Sequence, residues 1–221
     1  MDIVDWGLIE FEEAWRRQRE LSDAILHSNA PDTLVFCEHP DVITLGRLTK
    51  EGSVLTQRDV LGARGVHVIE IDRGGEATVH NPGQIIGYPV FNLQRTKPDL
   101  HWFLRAIEQS IIDALATFGL ESGRVDGLTG VWVDGQRKIC AIGIHCSRWI
   151  TTHGFALNVN NDLSLFDEIV PCGIQDRGVT SLSAELGRPV SLDEVRTAIT
   201  QAFTEHFVRP FSQGYGPNTL F

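Results

Sequence analysis

Gly130-Val-Trp-Val-Asp-Gly-Gln-Arg-Lys-Ile-Cys-Ala-Ile-Gly-Ile-His145 is the stretch whose reading decides the fold. Two apolar, β-branched runs, Gly130 to Val133 and Lys138 to His145, flank Asp134-Gly135. That dipeptide accepts the left-handed backbone of a tight hairpin loop. A third run, Ile150 to Val159, follows almost at once and reads as the next strand. Consecutive hairpins make a mixed, largely antiparallel sheet with helices packed on it, not a doubly wound parallel one. The expected fold class is therefore α/β of the α+β kind.

Working outward, Thr33 to Cys37 reads as a buried strand stopped by His39-Pro40, and Val42 to Leu45 as a short strand ending at Gly46. His67 to Ile71 alternates and runs into Gly74-Gly75, while Ala77 to His80 and Ile85 to Asn92 are strands joined by the turn Asn81-Pro-Gly83. Residues 8 to 27 read as a helix with Leu8, Phe11, Trp15, Ile25 and Leu26 on one face. Asp99 caps a second helix running to Phe118, where Gly119 stops it. Ser191-Leu-Asp-Glu194 is a capping box opening a last helix to about Phe207. No repeat or linker interrupts the chain, so one domain is expected over residues 1–221.

Composition narrows the function classes. Apolar residues make up 42% of the 221 positions, enough for a sizeable core. A net charge of −10 argues against nucleic acid, which demands clustered Lys and Arg. Arg47, Lys50, Arg73, Arg137, Lys138, Arg148 and Arg177 could still gather around one mouth. No apolar run approaches the ~20 residues of a membrane span, and the acidic N-terminus lacks a secretory pattern. The four cysteines form no C-x-x-C pair, which points to a reducing, cytoplasmic compartment. No heptad pattern is present, and a monomer is expected.

Few residues are placed for chemistry. Cys172 sits between Pro171 and Gly173, as a nucleophile or as a small apolar filler. Lys138 opens a strand, either solvated at its edge or leaning into a cleft beside a thiolate. His80 and His153 precede glycine-containing turns or strands and are ligand-facing or structural. Cys140, His145, Cys146 and His153 match no standard zinc spacing, and no metal is expected. Arg73-Gly74-Gly75 lacks both phosphate-loop patterns and leads into a strand, so it does not support a nucleotide.

Taken together, the segments resemble the lipoyl(octanoyl) transferases, a branch of the fold shared by biotin and lipoate protein ligases. The resembling pieces are Glu38-His39-Pro40 with Thr44-Leu-Gly-Arg47, Arg73-Gly-Gly-Glu-Ala-Thr-Val-His-Asn-Pro-Gly-Gln84 and Tyr88-Pro89. They continue with Gly130-Val-Trp-Val133, Arg137-Lys-Ile-Cys-Ala-Ile-Gly143, His153-Gly-Phe-Ala-Leu-Asn158, Pro171-Cys-Gly173 and Gly178-Val-Thr-Ser181. One departure is Asn81 where the family pattern has Gly; Asn tolerates a left-handed backbone, so the turn is expected to survive.

The resemblance implies transfer of an octanoyl group from octanoyl-acyl carrier protein to a lysine of a lipoyl domain. The acceptors implied are 2-oxoacid dehydrogenase E2 subunits and the glycine cleavage H protein. It implies no cofactor. By it, Cys172 is the acylated residue and Lys138 lowers its pKa. The groove would use Arg73, Gly74, Gly75, Glu76, Ala77, Thr78, Val79 and His80, then Ala141, Ile142 and Gly143, then His153, Gly154, Phe155 and Ala156. Leu45, Val79, Ile142 and Phe155 are expected as walls of the acyl slot. Two alternatives remain open: an ATP-dependent lipoate ligase, and a non-catalytic module that holds acylated partners.

Overall fold

The computed structural model describes residues 1–170 and 177–209. The larger of its two sheets has the strand order β1-β2-β6-β10-β9-β8-β7, and a short β11 pairs with β9. These strands are β1 (Asp2–Leu8), β2 (Thr33–Glu38), β6 (Gln84–Val90), β7 (Gly123–Val125), β8 (Leu128–Val133), β9 (Arg137–Ser147), β10 (Ile150–Asn158) and β11 (Gly178–Val179). Along this sheet every pairing from β2 across to β7 is antiparallel, and its two parallel pairings are β1 on β2 and β11 on β9. A second sheet, β4-β3-β5, comprises β3 (Val42–Leu45), β4 (His67–Glu70) and β5 (Ala77–His80). The mixed, mainly antiparallel class follows from the hairpins as expected.

Helices cover both faces of the large sheet. Along β2, Leu34 and Phe36 join the core beneath α3 (Leu100–Ala116) and α5 (Leu192–Phe203), whereas Val35 and Cys37 join Ala14 and Ile25 of α1 (Phe11–Ser28). This is the two-residue alternation of a strand buried on both sides. Asp99 Oδ1 accepts the Trp102 N–H at 3.0 Å, the cap read from the sequence, though α3 ends at Ala116 and not Phe118. Ser191 Oγ likewise accepts the Glu194 N–H at 3.4 Å, and α5 runs on through a π turn at Thr204–Val208.

The N-terminal helix is shorter than its apolar pattern suggests. Asp2–Leu8 is an edge strand, and α1 starts at Phe11 after Glu10, which makes no side-chain cap. β1 is mostly exposed on both faces, so it carries no inward–outward alternation; its pairing with β2 makes it a strand. Two helices went unread, α2 (Arg58–Ala63) and α4 (Leu182–Leu186), as did β1, β7 and β11. At the Asn81-Pro82-Gly83 turn the left-handed residue is Gly83, with φ +86°, so Asn81 needs no such backbone. Its side chain instead donates to the Asp162 carbonyl at 2.6 Å and accepts from Asn161 at 2.9 Å.

Candidate active site

The site is a cavity of about 400 Å³ between the two sheets, with α1, α3 and the β7–β8 turn contributing to its wall. Its rim is the Arg73-Gly74-Gly75 turn, seated on glycine at two points. A Cβ at Gly46 would lie 2.4 Å from the Gly75 carbonyl oxygen, and one at Gly143 would lie 2.8 Å from the Gly74 oxygen. The Gly74 N–H donates to the Ile144 carbonyl at 3.0 Å, stitching the turn to β9. These glycines serve contact of backbone on backbone, which a side chain would prevent.

Arg73 is 8% exposed and turns inward. Its Nη2 donates to the Thr44 carbonyl at 2.9 Å and to Thr44 Oγ1 at 3.0 Å. Because Arg73 is only a donor, the Thr44 hydroxyl sends its proton to His80 Nε2, 3.3 Å away. His80 Nδ1–H donates to Gln84 Oε1 at 2.9 Å, and Gln84 Nε2 donates to Asn158 Oδ1 at 2.8 Å. Asn158 Nδ2 donates to the Thr180 carbonyl at 3.0 Å, and the Thr180 N–H donates to the Lys138 carbonyl at 3.0 Å. One polar chain thus links the arginine turn to the lysine strand. Burial first, and then the neighbouring His39, push the His80 pKa well below the usual histidine range, so its ring is neutral.

His153 lines the cavity with an unusual backbone, φ +58°, in the middle of β10. Its N–H donates to Gln18 Oε1 at 2.7 Å, and its Nε2–H donates to Asp72 Oδ1 at 2.7 Å. That hydrogen bond holds the Asp72 carboxyl at about 2, while burial keeps the His153 ring neutral against the carboxylate's pull. Asp72 directly precedes Arg73, so this bond anchors the rim turn to the central sheet. His145 Nε2 lies 3.7 Å from the other Asp72 oxygen. Among the described residues no group of three or more His, Cys, Asp or Glu could hold a metal ion.

Lys138 faces the cavity from the start of β9. The β8–β9 register slips there, with Val131 opposite Cys140 but Trp132 opposite Lys138, so Ile139 is the extra residue of a bulge. A bulge re-aims the adjacent side chains. Lys138 Nζ lies 4.7 Å from the Trp132 ring centre. Of the other basic residues the sequence grouped, Arg137 is tied to Glu185 and Asp134, and Arg177 lies 5.5 Å from the Trp132 ring.

Most of the predicted groove is brought together. Arg73, Gly74, Gly75, Glu76, Ala77, Thr78, His80, Ala141, Ile142, Gly143, His153, Gly154, Phe155 and Ala156 all line the cavity. Val79 and Leu45 do not. Both pack with Ile43, Leu61 and Val66 in a separate core, because on β5 Val79 alternates away from Thr78 and His80. The pattern also missed Phe11, Leu48, Ile71, Ile86, Tyr88, Leu100, Leu104, Leu128 and Ile144, which line the cavity. Tyr88 stands in one of the resembling segments; the others' only signal was apolar character, which core residues share.

Cys172 lies outside the described residues. The described chain on either side of it is anchored. The Val170 N–H donates to the Ser53 carbonyl at 2.8 Å, and β11 sets Val179 beside Lys138. The other cysteines are not poised for chemistry: burial raises the thiol pKa of Cys37, Cys140 and Cys146 alike.

Comparison with known proteins places this geometry among relatives. Residues 10–204 match the family of the lipoyl protein ligase A/B catalytic domain. The chain is 49% identical over 201 residues to an octanoyltransferase of Rubrobacter xylanophilus, covering 90% of each protein. It is 48% identical over 205 residues to an octanoyltransferase of Solibacter usitatus, covering 93% of this chain and 90% of the relative. Among solved structures, it aligns with a bipartite lipoate protein ligase of Thermoplasma acidophilum at TM-score 0.69 and 17% identity, covering 93% of this chain and 82% of that one. It aligns with the Aquifex aeolicus biotin protein ligase at TM-score 0.54 and 14% identity, covering 97% and 72%.

Proposed function

We propose, for a chain that belongs to the lipoyl protein ligase A/B catalytic domain family, a cofactor-free octanoyl transfer that proceeds through Cys172. The chain is an acyltransferase acting in protein lipoylation. The donor is octanoyl-acyl carrier protein, and the acceptor is a lysine of a lipoyl domain, of an E2 subunit or of the glycine cleavage H protein. The Thermoplasma acidophilum ligase belongs to a lipoylation system with an E2 lipoyl domain, which supports that acceptor class. In this reading the chain acts as a cytoplasmic monomer.

The observation that carries it is Lys138, opening onto a largely apolar cavity beside the strand that directly follows the Cys172 segment. Five residues lie between Cys172 and Gly178, a reach of at most about 22 Å. An ordinary thiol, with pKa about 8.5, is only a few per cent ionised at pH 7, and a nearby ammonium enlarges that fraction.

The Cys172 thiolate attacks the octanoyl thioester, and the carrier's thiolate leaves with a proton given up by the Lys138 ammonium, which becomes a neutral amine. One thioester replaces another at little net free energy. The acceptor's amine then attacks the Cys172 thioester, an amide forms, Lys138 takes the amine's proton, and the thiolate departs. Amide formation makes this half downhill, so no nucleotide is consumed. Burying about seven methylene and methyl groups against Ile142, Phe155, Leu100 and Leu104 is worth ~5 kcal/mol.

Intact mass measured after incubation with octanoyl-acyl carrier protein, without ATP, tests the proposal. One octanoyl group should be gained, and Cys172→Ser should abolish the gain. Loading that requires ATP would favour the ligase reading, and no loading in any condition the non-catalytic one.

A further inference from the structure

Trp132 does not itself line the cavity, yet two cations converge on it. It is 2% exposed, on β8, opposite Lys138. Lys138 Nζ lies 4.7 Å from its ring centre and the Arg177 guanidinium carbon 5.5 Å. Arg177 is fixed from behind, its Nη1 donating to the Gly135 carbonyl of the β8–β9 turn at 2.8 Å.

Two further features bear on this contact. A buried indole N–H ordinarily finds an acceptor, yet among the described residues that of Trp132 has none. The ring is therefore held by what meets its faces and edges, not by its hydrogen bond. Two residues earlier on the same strand face, Gly130 takes φ +126°, and a Cβ there would lie 2.6 Å from the Cys140 carbonyl, 3.5 Å from Lys138 Cε and 3.7 Å from its Cδ. The lysine stem thus runs over a bare glycine and ends against an indole. The bulge at Ile139 creates this alignment.

We propose that Trp132 is the positioning residue of acyl transfer: its ring holds the Lys138 ammonium and the Arg177 guanidinium together, removing the freedom of a flexible four-carbon stem. Tryptophan offers a cation the most favourable aromatic face, and a flexible ammonium serves chemistry only when its stem is ordered. The inference rests on the reading that Lys138 takes part in the transfer through Cys172.

The experiment replaces Trp132, by site-specific incorporation, with a series of mono- to tetrafluorinated tryptophans. Fluorine drains the negative face with little change of shape. Loading from octanoyl-acyl carrier protein and delivery to a lipoyl domain are timed by intact mass, alongside Trp132→Phe, Trp132→Leu and thermal unfolding. The native protein must first gain one octanoyl group that Cys172→Ser abolishes; if it does not, the underlying reading fails and takes this inference with it. Given that gain, kcat should fall stepwise, about fivefold to tenfold across the fluorinated series. The carrier KM and the melting temperature should stay constant, with Trp132→Phe intermediate and Trp132→Leu slowest. Rates flat across the series, or falling only in step with melting temperature, would overturn the role of Trp132 while leaving the acyl-transfer reading intact.

Discussion

β9 and β10 are neighbours in the sheet, paired residue for residue, and yet they do different work. Every residue of β10 is buried, between α1 on one face and the core under α3 and α5 on the other. β9 is half-buried along most of its length, because one of its faces borders the cavity. Both strands line the cavity, β10 through His153, Gly154, Phe155 and Ala156, but β10 is packed from end to end whereas β9 keeps Lys138, Ala141, Ile142 and Gly143 partly exposed. The fully packed strand thus gives the site a rigid wall, and against it the half-buried strand holds the lysine that does the chemistry.

Substitutions can break that division or sharpen it. The largest effect should be on β9: Lys138→Ala is expected to slow octanoyl transfer by about 10²–10⁴-fold, with stability in urea changed by less than ~1 kcal/mol. An equal loss of stability would mean that the lysine is a packing residue. On β10 the balance should reverse. A Cβ at Gly154 would fall 1.9 Å from the Gly87 carbonyl oxygen and 2.8 Å from Pro89 Cδ, forcing backbone movement. Gly154→Ala should therefore cost about 3 kcal/mol or more in denaturant unfolding. A stable Gly154→Ala protein would show that β10 is less tightly packed against β6 than its geometry requires.

Acid should weaken the packed side of the molecule. His39, bonded to the Ile9 carbonyl at 2.7 Å and to Tyr88 at 2.6 Å, has its pKa lowered by burial from 6.5 to about 4. Above pH 6.5 both folded and unfolded chains carry it neutral. Between 6.5 and 4 the unfolded chain binds a proton that the folded one excludes, so stability falls as pH falls through that window. The contribution of His39 is on the order of 3 kcal/mol, and His80 and His153 act in the same direction. Unfolding free energies measured from pH 7 to pH 4 should decline accordingly, and His39→Gln should flatten the slope. The smallest effect lies far from both strands: Asp99→Ala removes the α3 cap and should cost ~1 kcal/mol with transfer rates intact.

Much of the cavity was legible in advance because its polar and glycine residues lie in short contiguous runs, and neighbours in sequence reach the same rim. Val79 and Leu45 were misplaced for a related reason. Strand alternation says that a residue points one way or the other, but not which way is inward, and only the packing of the small sheet decides that. Leu100 and Leu104 show the converse, since an apolar helix stripe reads identically whether it meets a core or the wall of a binding slot.

The sequence by itself determined the hairpins, the caps of α3 and α5, the ordered family motifs and the residue types available for acyl chemistry. All of these are properties of segments a few residues long, where backbone preference and side-chain hydrogen bonding act locally. Tertiary structure alone decided that Asp2–Leu8 is a strand, that His153 holds the arginine turn through Asp72, and that Lys138 ends against Trp132. Those outcomes join groups distant in the chain or depend on a bulge in register, and they exist only once the sheet brings such groups within bonding distance.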